Sequence, residues 1–328
     1  MAYIALYRKW RPKTFADLVG QEHVSKTLSQ AIVSGRIGHA YLFAGPRGTG
    51  KTSTAKILAM ALNCAHGPTP EPCGTCDNCR KITDGSSMDV FEIDAASNRG
   101  IDEIRGLRET VKFAPAEGRY KVYIIDEVHM LTAEAFNALL KTLEEPPEGT
   151  VIFLSGTESG VLPTIRSRCT KLRLPQMNDE DILNTLILEG FDRQCAEKYA
   201  PYADGSMSRA RRLCSDDKAA QLCDNAETFI KAILKSEMPF DSVKTFSKDR
   251  QSARNSAEYM LAYMRKMLEN AVENGGLTDD GFTISIIGDI IKLLTETLGR
   301  IDMKYGIGAA FDRLIASTAQ IIAAQPLD

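Results

Sequence analysis

The first half of the chain alternates short apolar runs with helical patterns. Apolar or β-branched runs predict strands at 41–44, 89–94, 121–125, 151–155 and 171–174. The clearest helical pattern between them is at 133–145, where Thr132 would be the N-cap and apolar residues recur at intervals of three and four. Strands that alternate with helices indicate a parallel sheet covered by helices on both faces. We therefore predict an α/β fold up to about residue 177.

Only helical patterns follow residue 175. Short helical stretches at 179–200 and 208–216 precede longer amphipathic ones, in which apolar residues repeat at intervals of three and four. Examples are the methionines 260, 264 and 267 and the apolar residues between 284 and 298. We predict an α/β core at 1–177, a small helical domain at 178–222 and a second helical domain at 223–328.

Composition narrows the class of protein. The 328 residues are 44% hydrophobic with a net charge of −3, so no global basic surface indicates nucleic-acid binding. The N-terminus lacks the apolar segment of a signal peptide, and no apolar run reaches the length of a membrane span. We therefore predict a cytoplasmic protein without membrane contacts, in which DNA would be bound by local patches.

A glycine-rich segment follows the first predicted strand. Residues 45–52 match the pattern G-x-x-x-x-G-K-S/T between that strand and the helical segment 52–62, the context that a phosphate-binding loop requires. The alternative is a chance glycine-rich turn before a helix. Lys51 would reach the β- and γ-phosphates of ATP, and the Thr52 hydroxyl would bind Mg²⁺. The predicted nucleotide-binding residues of this segment are Gly45, Pro46, Arg47, Gly48, Thr49, Gly50, Lys51 and Thr52.

Two carboxylates end the third predicted strand. The run Val-Tyr-Ile-Ile at 122–125 is followed by Asp126 and Glu127. Ligands of open α/β sheets bind at the carboxyl ends of the strands. Asp126 would therefore orient Mg²⁺, and Glu127 would polarise a water for attack on the γ-phosphate. Taken without the phosphate loop, the same pair would be read as a surface Asp-Glu after a core strand.

Four of the eight cysteines are clustered in the sequence. Cys64, Cys73, Cys76 and Cys79 have the spacing C-x8-C-x2-C-x2-C. Two-residue gaps let successive thiolates face one centre, and four thiolates suit tetrahedral Zn²⁺. We predict a structural zinc, with an iron–sulfur cluster or free thiols as the alternatives.

Several further segments, one of which begins with Asp126 and Glu127, carry a family resemblance. They read Tyr-Arg-Lys-Trp-Arg-Pro at 7–12, Val-Gly-Gln at 19–21, Asp-Ala-Ala-Ser at 94–97, Asp-Glu-Val-His-Met-Leu at 126–131 and Ser-Arg-Cys at 167–169. With the phosphate loop and the four-cysteine insert, they resemble the bacterial DNA polymerase III clamp-loader ATPases of the gamma/tau type. The resemblance implies an AAA+ core with a zinc insert, a helical lid and a helical oligomerisation collar, and the use of ATP, Mg²⁺ and Zn²⁺.

The resemblance also implies roles for single residues. Arg168 matches the arginine that family members insert into a neighbouring subunit's ATP site, although by itself it would be read as a solvated charge. Thr157 matches the first sensor, which would hold the attacking water or the γ-phosphate; otherwise it is a threonine that caps a turn. Arg8 or Arg11 would contact nucleotide phosphates, or else help to pack the segment around Trp10.

One motif departs from the family. The second sensor is an arginine in the pattern Gly-Ser-x-Arg, whereas residues 205–209 read Gly-Ser-Met-Ser-Arg. Ser208 takes the arginine position and Arg209 follows one residue later, a rotation of about 100° on a helix. This feature and the segment 224–234 resemble the delta-prime subunit of the same loader. The sequence also ends before the long polymerase-binding tail of tau, as a truncated tau or a short gamma would.

The resemblance predicts an ATPase that acts within the polymerase III holoenzyme. Its partners would be the other subunits of a hetero-oligomeric ring, a sliding clamp and primer-template DNA. The alternative is a delta-prime-like stator subunit with weak or no ATP hydrolysis, which Ser208 favours and Lys51 and Glu127 oppose. A third class is another AAA+ DNA motor, such as a branch-migration helicase, which the four-cysteine insert opposes.

Overall fold

The chain divides into two compact units, Met1–Asp181 and Ile182–Asp328. The computed structural model describes residues 12–324 except 47, 98–99, 158–159, 247, 279 and 304. Arg8, Arg11 and Arg47 therefore lie outside the described residues. Within the described part of the chain, no helix is both long enough and apolar enough to cross a bilayer.

The first unit contains a five-stranded sheet in the order β2-β3-β4-β1-β5. All neighbouring strands are parallel. The register pairs Ala44 with Gly156 and Asp94 with Asp126, so the carboxyl ends of the four strands β2, β3, β4 and β1 lie at one edge. The strands are β1 (Ala40–Ala44), β2 (Val90–Asp94), β3 (Lys121–Asp126), β4 (Thr150–Gly156) and β5 (Thr170–Arg173).

Apolar side chains leave both faces of this sheet. Phe43 and Phe153 stack at 5.7 Å between ring centroids on one face, in a core shared with Ile57 and Leu62. Leu42 points to the other face, into a second core. Successive side chains of a strand point to opposite faces, so fully buried strands require helices on both sides. The predicted parallel sheet with helices on both faces is confirmed.

The second unit is built from helices around a single hydrophobic core. Three rings mark its centre: Phe229 lies 5.0 Å from Phe246 and 6.0 Å from Phe311 between centroids. The methionines at 260 and 264 are fully buried in this core, as their spacing predicts. The predicted helical C-terminal region is confirmed, whereas its division into a lid and a collar at residue 222 stays a prediction.

The helices agree with the sequence patterns, with small shifts at their ends. The hydroxyl of Thr132 accepts from the Ala135 N–H, so this predicted N-cap is confirmed. The helical stretch predicted at 179–200 is two helices, separated by a turn at Gly190 with φ of 86°. The α-helices are α1 (Glu22–Val33), α2 (Lys51–Asn63), α3 (Asp77–Asp84), α4 (Ile101–Thr110), α5 (Ala133–Glu144), α6 (Pro163–Arg166), α7 (Asp179–Leu188), α8 (Arg193–Tyr199), α9 (Met207–Ser215), α10 (Asp217–Leu234), α11 (Val243–Phe246), α12 (Arg250–Glu273), α13 (Ile284–Asp302) and α14 (Ile307–Ala323).

Candidate nucleotide-binding site and metal centre

The glycine-rich loop connects β1 to α2, as its sequence predicts. A Cβ atom at Gly45 would lie 2.2 Å from the carbonyl oxygen of Leu174, so only glycine fits there. Gly50 precedes the helix with φ of 94°, a left-handed conformation that favours glycine. The loop thus places the first N–H groups of α2 at the carboxyl edge of the sheet, where a helix N-terminus attracts phosphate.

The Lys51 side chain folds back onto this loop. Its Nζ donates to the carbonyl oxygens of Gly45 at 2.8 Å and Pro46 at 2.6 Å. The residue is only 7% exposed. Thr49 supports the turn, because its hydroxyl donates to the Pro46 carbonyl at 3.0 Å. The ammonium group is therefore held at the loop that would surround the phosphates.

The Asp126 carboxylate accepts hydrogen bonds from two elements. The Thr52 hydroxyl, on the first turn of α2, donates to Oδ2 at 2.8 Å. The Ser155 hydroxyl, on β4, donates to Oδ1 at 2.5 Å. The structure therefore brings together Thr52 and Asp126, the two residues predicted to bind Mg²⁺. A hydroxyl and a carboxylate are the hard oxygen ligands that Mg²⁺ prefers, so this donor set fits the ion.

Glu127 has an unusual backbone conformation. Its φ of 51° and ψ of 43° are left-handed, although it carries a side chain. Such a residue costs about 1–3 kcal/mol and persists only where its surroundings enforce it. Its N–H points to the Ser155 hydroxyl at 3.4 Å. This turn directs the chain away from the sheet immediately after β3, at the edge that carries the phosphate loop.

Thr157, the predicted sensor, is exposed directly after β4. Because β4 lies between β1 and β3, Thr157 follows the strand that separates the phosphate loop from Asp126 and Glu127. The strand order thus explains how residues more than a hundred positions apart reach one edge. Lys51, Thr52, Asp126, Glu127 and Thr157 all follow carboxyl ends of adjacent strands.

Arg168 has partners within its own chain. Its Nη2 lies 2.7 Å from Oε1 of Glu144, and its Nη1 donates to the Thr164 carbonyl at 2.8 Å and lies 3.4 Å from the Ser167 hydroxyl. None of these three partners belongs to the phosphate loop. Its side chain is 35% exposed, so the guanidinium is held at the surface of the first unit.

The four clustered cysteines converge in space. Their Sγ atoms all lie within 4.8 Å of one another, and all four are free thiols. Four thiolates around Zn²⁺ would have sulfurs about 3.8 Å apart, from Zn–S bonds of about 2.3 Å in a tetrahedron. Backbone N–H groups already point at the sulfurs: that of Cys76 lies 3.3 Å from Sγ of Cys73. Hydrogen bonds from the backbone of Thr75 and Cys76 lower the pKa of Cys73 to about 5. The donor set fits a closed zinc site.

An anchor for this cysteine segment was not predicted from the sequence. Asn63, the last residue of α2, accepts from the N–H groups of Arg119 at 2.9 Å and Tyr120 at 2.8 Å. The Arg119 guanidinium donates to the Cys64 carbonyl at 2.7 Å. The segment before β3 is thereby attached to the helix end that carries the first cysteine. An asparagine and an arginine far apart in sequence carry no motif that would have revealed this.

Ser155 is a second residue that sequence reasoning missed. Ser155 is only 4% exposed, and its position opposite the end of β3 makes it a partner of Asp126. The available signal was a polar residue at the end of an otherwise apolar strand.

The second unit contains the displaced arginine. Nη2 of Arg209, on α9, donates to Oε2 of Glu258, on α12, at 2.5 Å. The guanidinium lies 5.9 Å from the centre of the Tyr259 ring, and Nη1 lies 3.9 Å from Asp204. Ser208, at the position where the family has arginine, is exposed. Arg209 is therefore engaged by a carboxylate of its own unit.

Comparison with known proteins identifies relatives. The family model described as "DNA polymerase III, delta subunit" matches residues 20–178. The DNA polymerase III subunit tau of Bacillus subtilis is 51% identical over 244 residues, which cover 72% of this chain and 42% of that protein. The tau/gamma subunit of Haemophilus influenzae is 38% identical over 325 residues, 98% of this chain and 42% of that protein. The chain thus spans less than half the length of these relatives.

A solved structure shares the fold. The crystal structure of a DNA polymerase III gamma subunit-related protein from Thermotoga maritima covers 92% of this chain and 99% of its own, with a TM-score of 0.51 and 17% identity. The AAA+ fold predicted from the sequence is confirmed. The family resemblance is confirmed as well, and the chain is a relative of the tau and gamma subunits of bacterial DNA polymerase III.

Proposed function

We propose that this chain is an ATP-driven clamp-loader subunit of DNA polymerase III, which binds and hydrolyses ATP to place a sliding clamp on primed DNA. The observation that carries the ATPase assignment is the contact of the Thr52 hydroxyl with Asp126 at 2.8 Å, beside the loop that holds Lys51. The clamp-loading part of the proposal rests on the relatives, which are named tau and tau/gamma subunits. This contact argues against a subunit with a damaged ATP site.

Each residue of the site has a separate task in hydrolysis. The N–H groups of residues 45–52 and the Lys51 ammonium bind the phosphates and compensate their charge. Thr157 orients the γ-phosphate or the attacking water. Glu127 accepts a proton from that water, as a carboxylate within reach of the nucleophile can. The 7% exposure of Lys51 limits water around its charge, which strengthens its attraction for phosphate.

Two metal ions are part of this proposal. Thr52 and Asp126 would hold Mg²⁺, which neutralises charge on the β- and γ-phosphates. Cys64, Cys73, Cys76 and Cys79 would hold Zn²⁺ in a closed shell that leaves no position for a catalytic water. Helix α2 is 13 residues long, so the two sites lie about 20 Å apart along its axis. The zinc would therefore be structural.

The partners follow from the same assignment. The chain would join other clamp-loader subunits in a hetero-oligomeric ring, with a sliding clamp and primer-template DNA as its further partners. Arg168 would act on the nucleotide of a neighbouring subunit, where a guanidinium stabilises charge that develops on the γ-phosphate. Its position at the surface of the first unit supports this role.

ATPase activity of the purified chain, with and without primed DNA and a sliding clamp, tests the proposal. Lys51→Ala removes a cation from the β- and γ-phosphates, so nucleotide affinity should fall sharply and hydrolysis should vanish. Glu127→Gln should keep ATP bound but stop turnover, because the amide cannot accept the proton. Lys81→Ala is the matched control, since Lys81 pairs with Glu117 at the surface. Wild-type ATPase in Lys51→Ala would refute the assignment of the site.

A further inference from the structure

His129 lies next to Glu127 and has no assigned task. A short 3₁₀ turn, Val128–Met130, follows β3 and brings the two side chains to the same side. Nδ1 of His129 lies 3.5 Å from Oε2 of Glu127. The turn is closed by the Met130 N–H, which donates to the Glu127 carbonyl at 2.8 Å, and Val128 is fully buried beneath it. The backbone of this turn therefore places the two side chains next to each other.

The His129 side chain lies close to two glycines, Gly156 at the end of β4 and Gly160 shortly after it. A Cβ atom at Gly156 would lie 3.0 Å from Nδ1 of His129. A Cβ atom at Gly160 would lie 2.6 Å from Cβ of His129 and 2.9 Å from Oγ1 of Thr157. A larger residue at either position would collide with His129, so the two glycines make room for this side chain. The His129 side chain therefore lies beside Glu127 and close to Gly156 and Gly160.

Nδ1 of His129 is buried without a hydrogen-bond partner among the described residues. A buried polar atom left unpaired costs about 1–3 kcal/mol, so such atoms are rare and call for an explanation. The Glu127 carboxylate, at 3.5 Å, is slightly beyond hydrogen-bond length. Hydrogen bonds at catalytic groups are often long before substrate binds and tighten afterwards. A small movement of Glu127 would complete this one.

We propose that His129 positions Glu127: its Nδ1–H donates to the Glu127 carboxylate and fixes the orientation in which that carboxylate accepts the proton of the attacking water. The proposal rests on the proposed ATPase function. The donor must be the Nδ1–H tautomer, because Nδ1 is the nitrogen that faces the carboxylate. In this role His129 acts through Glu127, so it affects turnover and not nucleotide binding.

Three substitutions of His129 separate positioning from packing. The amide nitrogen of asparagine can occupy the place of Nδ1, whereas glutamine places its amide near the other ring nitrogen. We expect His129→Ala and His129→Gln to lower kcat for ATP about tenfold to a hundredfold, as the loss of a hydrogen bond to a charged group does. KM and nucleotide affinity should stay unchanged. His129→Asn should recover most of the loss, although glutamine is closer to histidine in size.

The readouts are kcat and KM of the full chain with primed DNA and a sliding clamp, and thermal unfolding of every variant. Equal kcat values for the asparagine and glutamine variants, or a change in KM alone, would overturn the proposal. If His129→Gln does not fold, His129→Ala provides the same comparison. Normal turnover in all His129 variants, with none in Lys51→Ala and Glu127→Gln, would overturn only this inference. A wild-type chain that neither binds ATP nor hydrolyses it would overturn the ATPase function as well.

Discussion

At the scale of single residues, the Asp126 carboxylate is the most constrained group of the nucleotide site. Each of its two oxygens accepts a hydrogen bond from a hydroxyl: Oδ2 from Thr52 and Oδ1 from Ser155. Hydrogen bonds to an ionised acceptor are roughly twice as strong as neutral ones. The carboxylate is therefore oriented before any metal binds. Part of this orientation comes from Ser155 on β4, a strand that carries no charged residue of the site. Ser155 should matter for Mg²⁺ although it is not a metal ligand.

Ser155→Ala tests this dependence. Removal of the 2.5 Å hydrogen bond should leave Oδ1 of Asp126 less restrained and weaken Mg²⁺-dependent turnover about tenfold, with higher Mg²⁺ restoring part of the rate. The measurement is a Mg²⁺ titration of the ATPase rate. Ser252→Ala is a matched control, because Ser252 donates to Asp249 at 2.6 Å in the second unit. A Ser155→Ala rate equal to wild type at every Mg²⁺ concentration would contradict the argument.

At the scale of secondary-structure elements, the cysteine segment 64–79 is attached to a helix at each end, α2 before it and α3 after it. Cys64 caps α2, and Cys76 and Cys79 lie at the start of α3. The Asn63 and Arg119 contacts tie the same place to the beginning of β3. Cys64 and Cys79 belong to one of the two apolar cores of the sheet, but most residues of both cores lie outside the segment 64–79. Loss of the metal should therefore loosen this segment and leave the sheet intact.

We expect one tightly bound Zn²⁺ per chain. Elemental analysis of anaerobically purified protein should show it. Chelation, or Cys73→Ser, should make the segment 64–79 sensitive to protease while ATP affinity stays nearly unchanged, because α2 separates the sites by about 20 Å. Cys223→Ser is a control, since Cys223 is buried in the other unit. Protein that lacks zinc, or that contains iron instead, would contradict the prediction.

Helices α9 and α12 are joined by a network of charges in the second unit. Glu258 accepts from Arg209 at 2.5 Å and from Arg254 at 3.0 Å. Arg254 also pairs with Asp302, on α13. Arg209 is therefore one of several contacts that fix α9, and its removal leaves Glu258 with a partner. The position of the arginine one residue after the family's pattern is consistent with a structural task.

Arg209→Ala should barely change ATP affinity and should lower stability by about 1 kcal/mol, because a partly exposed pair in which Glu258 keeps a second partner loses less than an isolated buried pair. Nucleotide titration and thermal unfolding measure the two effects separately. Ser208→Arg, which restores the family's pattern, should raise ATP affinity. A large loss of affinity in Arg209→Ala would show instead that this arginine reaches the nucleotide.

Patterns confined to a few neighbouring residues could be predicted, and contacts between distant residues could not. The three central strands, β1, β3 and β4, were predicted within one residue because buried parallel strands are continuous apolar runs. The phosphate loop and the cysteine segment could be predicted because their residues follow a fixed spacing within a short stretch of sequence. In contrast, the partners of Asn63, Ser155 and Arg209 are fixed by strand order and helix packing, which no local pattern encodes. Lys121 illustrates this limit, since it is a buried lysine whose ammonium donates to the carbonyls of Thr110 and Phe113.

At the scale of the whole molecule, the site of one chain is incomplete if Arg168 acts on a neighbour. In the single chain the guanidinium is held by Glu144, whose side chain is 48% exposed. A surface ion pair of this kind contributes about 0–1 kcal/mol, so Arg168 can exchange it for a phosphate at little cost. Assembly, and not folding of the chain, would then complete the catalytic machinery.

An isolated chain should therefore bind ATP but hydrolyse it poorly, and activity should rise when subunits assemble and again with DNA and clamp. Arg168→Ala should leave the chain's own ATP binding nearly intact and abolish the stimulation, since an arginine of this type contributes about 10³–10⁵ in rate and acts mainly on the transition state. Arg193→Ala is the control, because Arg193 forms a similar exposed pair with Glu197.

Mixing two inactive variants tests whether Arg168 acts across an interface. An Arg168→Ala chain keeps its phosphate loop, and a Lys51→Ala chain keeps its arginine. Where the two meet in the right order, an intact arginine faces an intact loop, so a mixture should recover activity that neither variant has alone. The recovered rate should depend on the mixing ratio and be highest where such junctions are most frequent. If both variants assemble and no ratio restores hydrolysis, Arg168 does not complete a neighbour's site, and its pairing with Glu144 is structural.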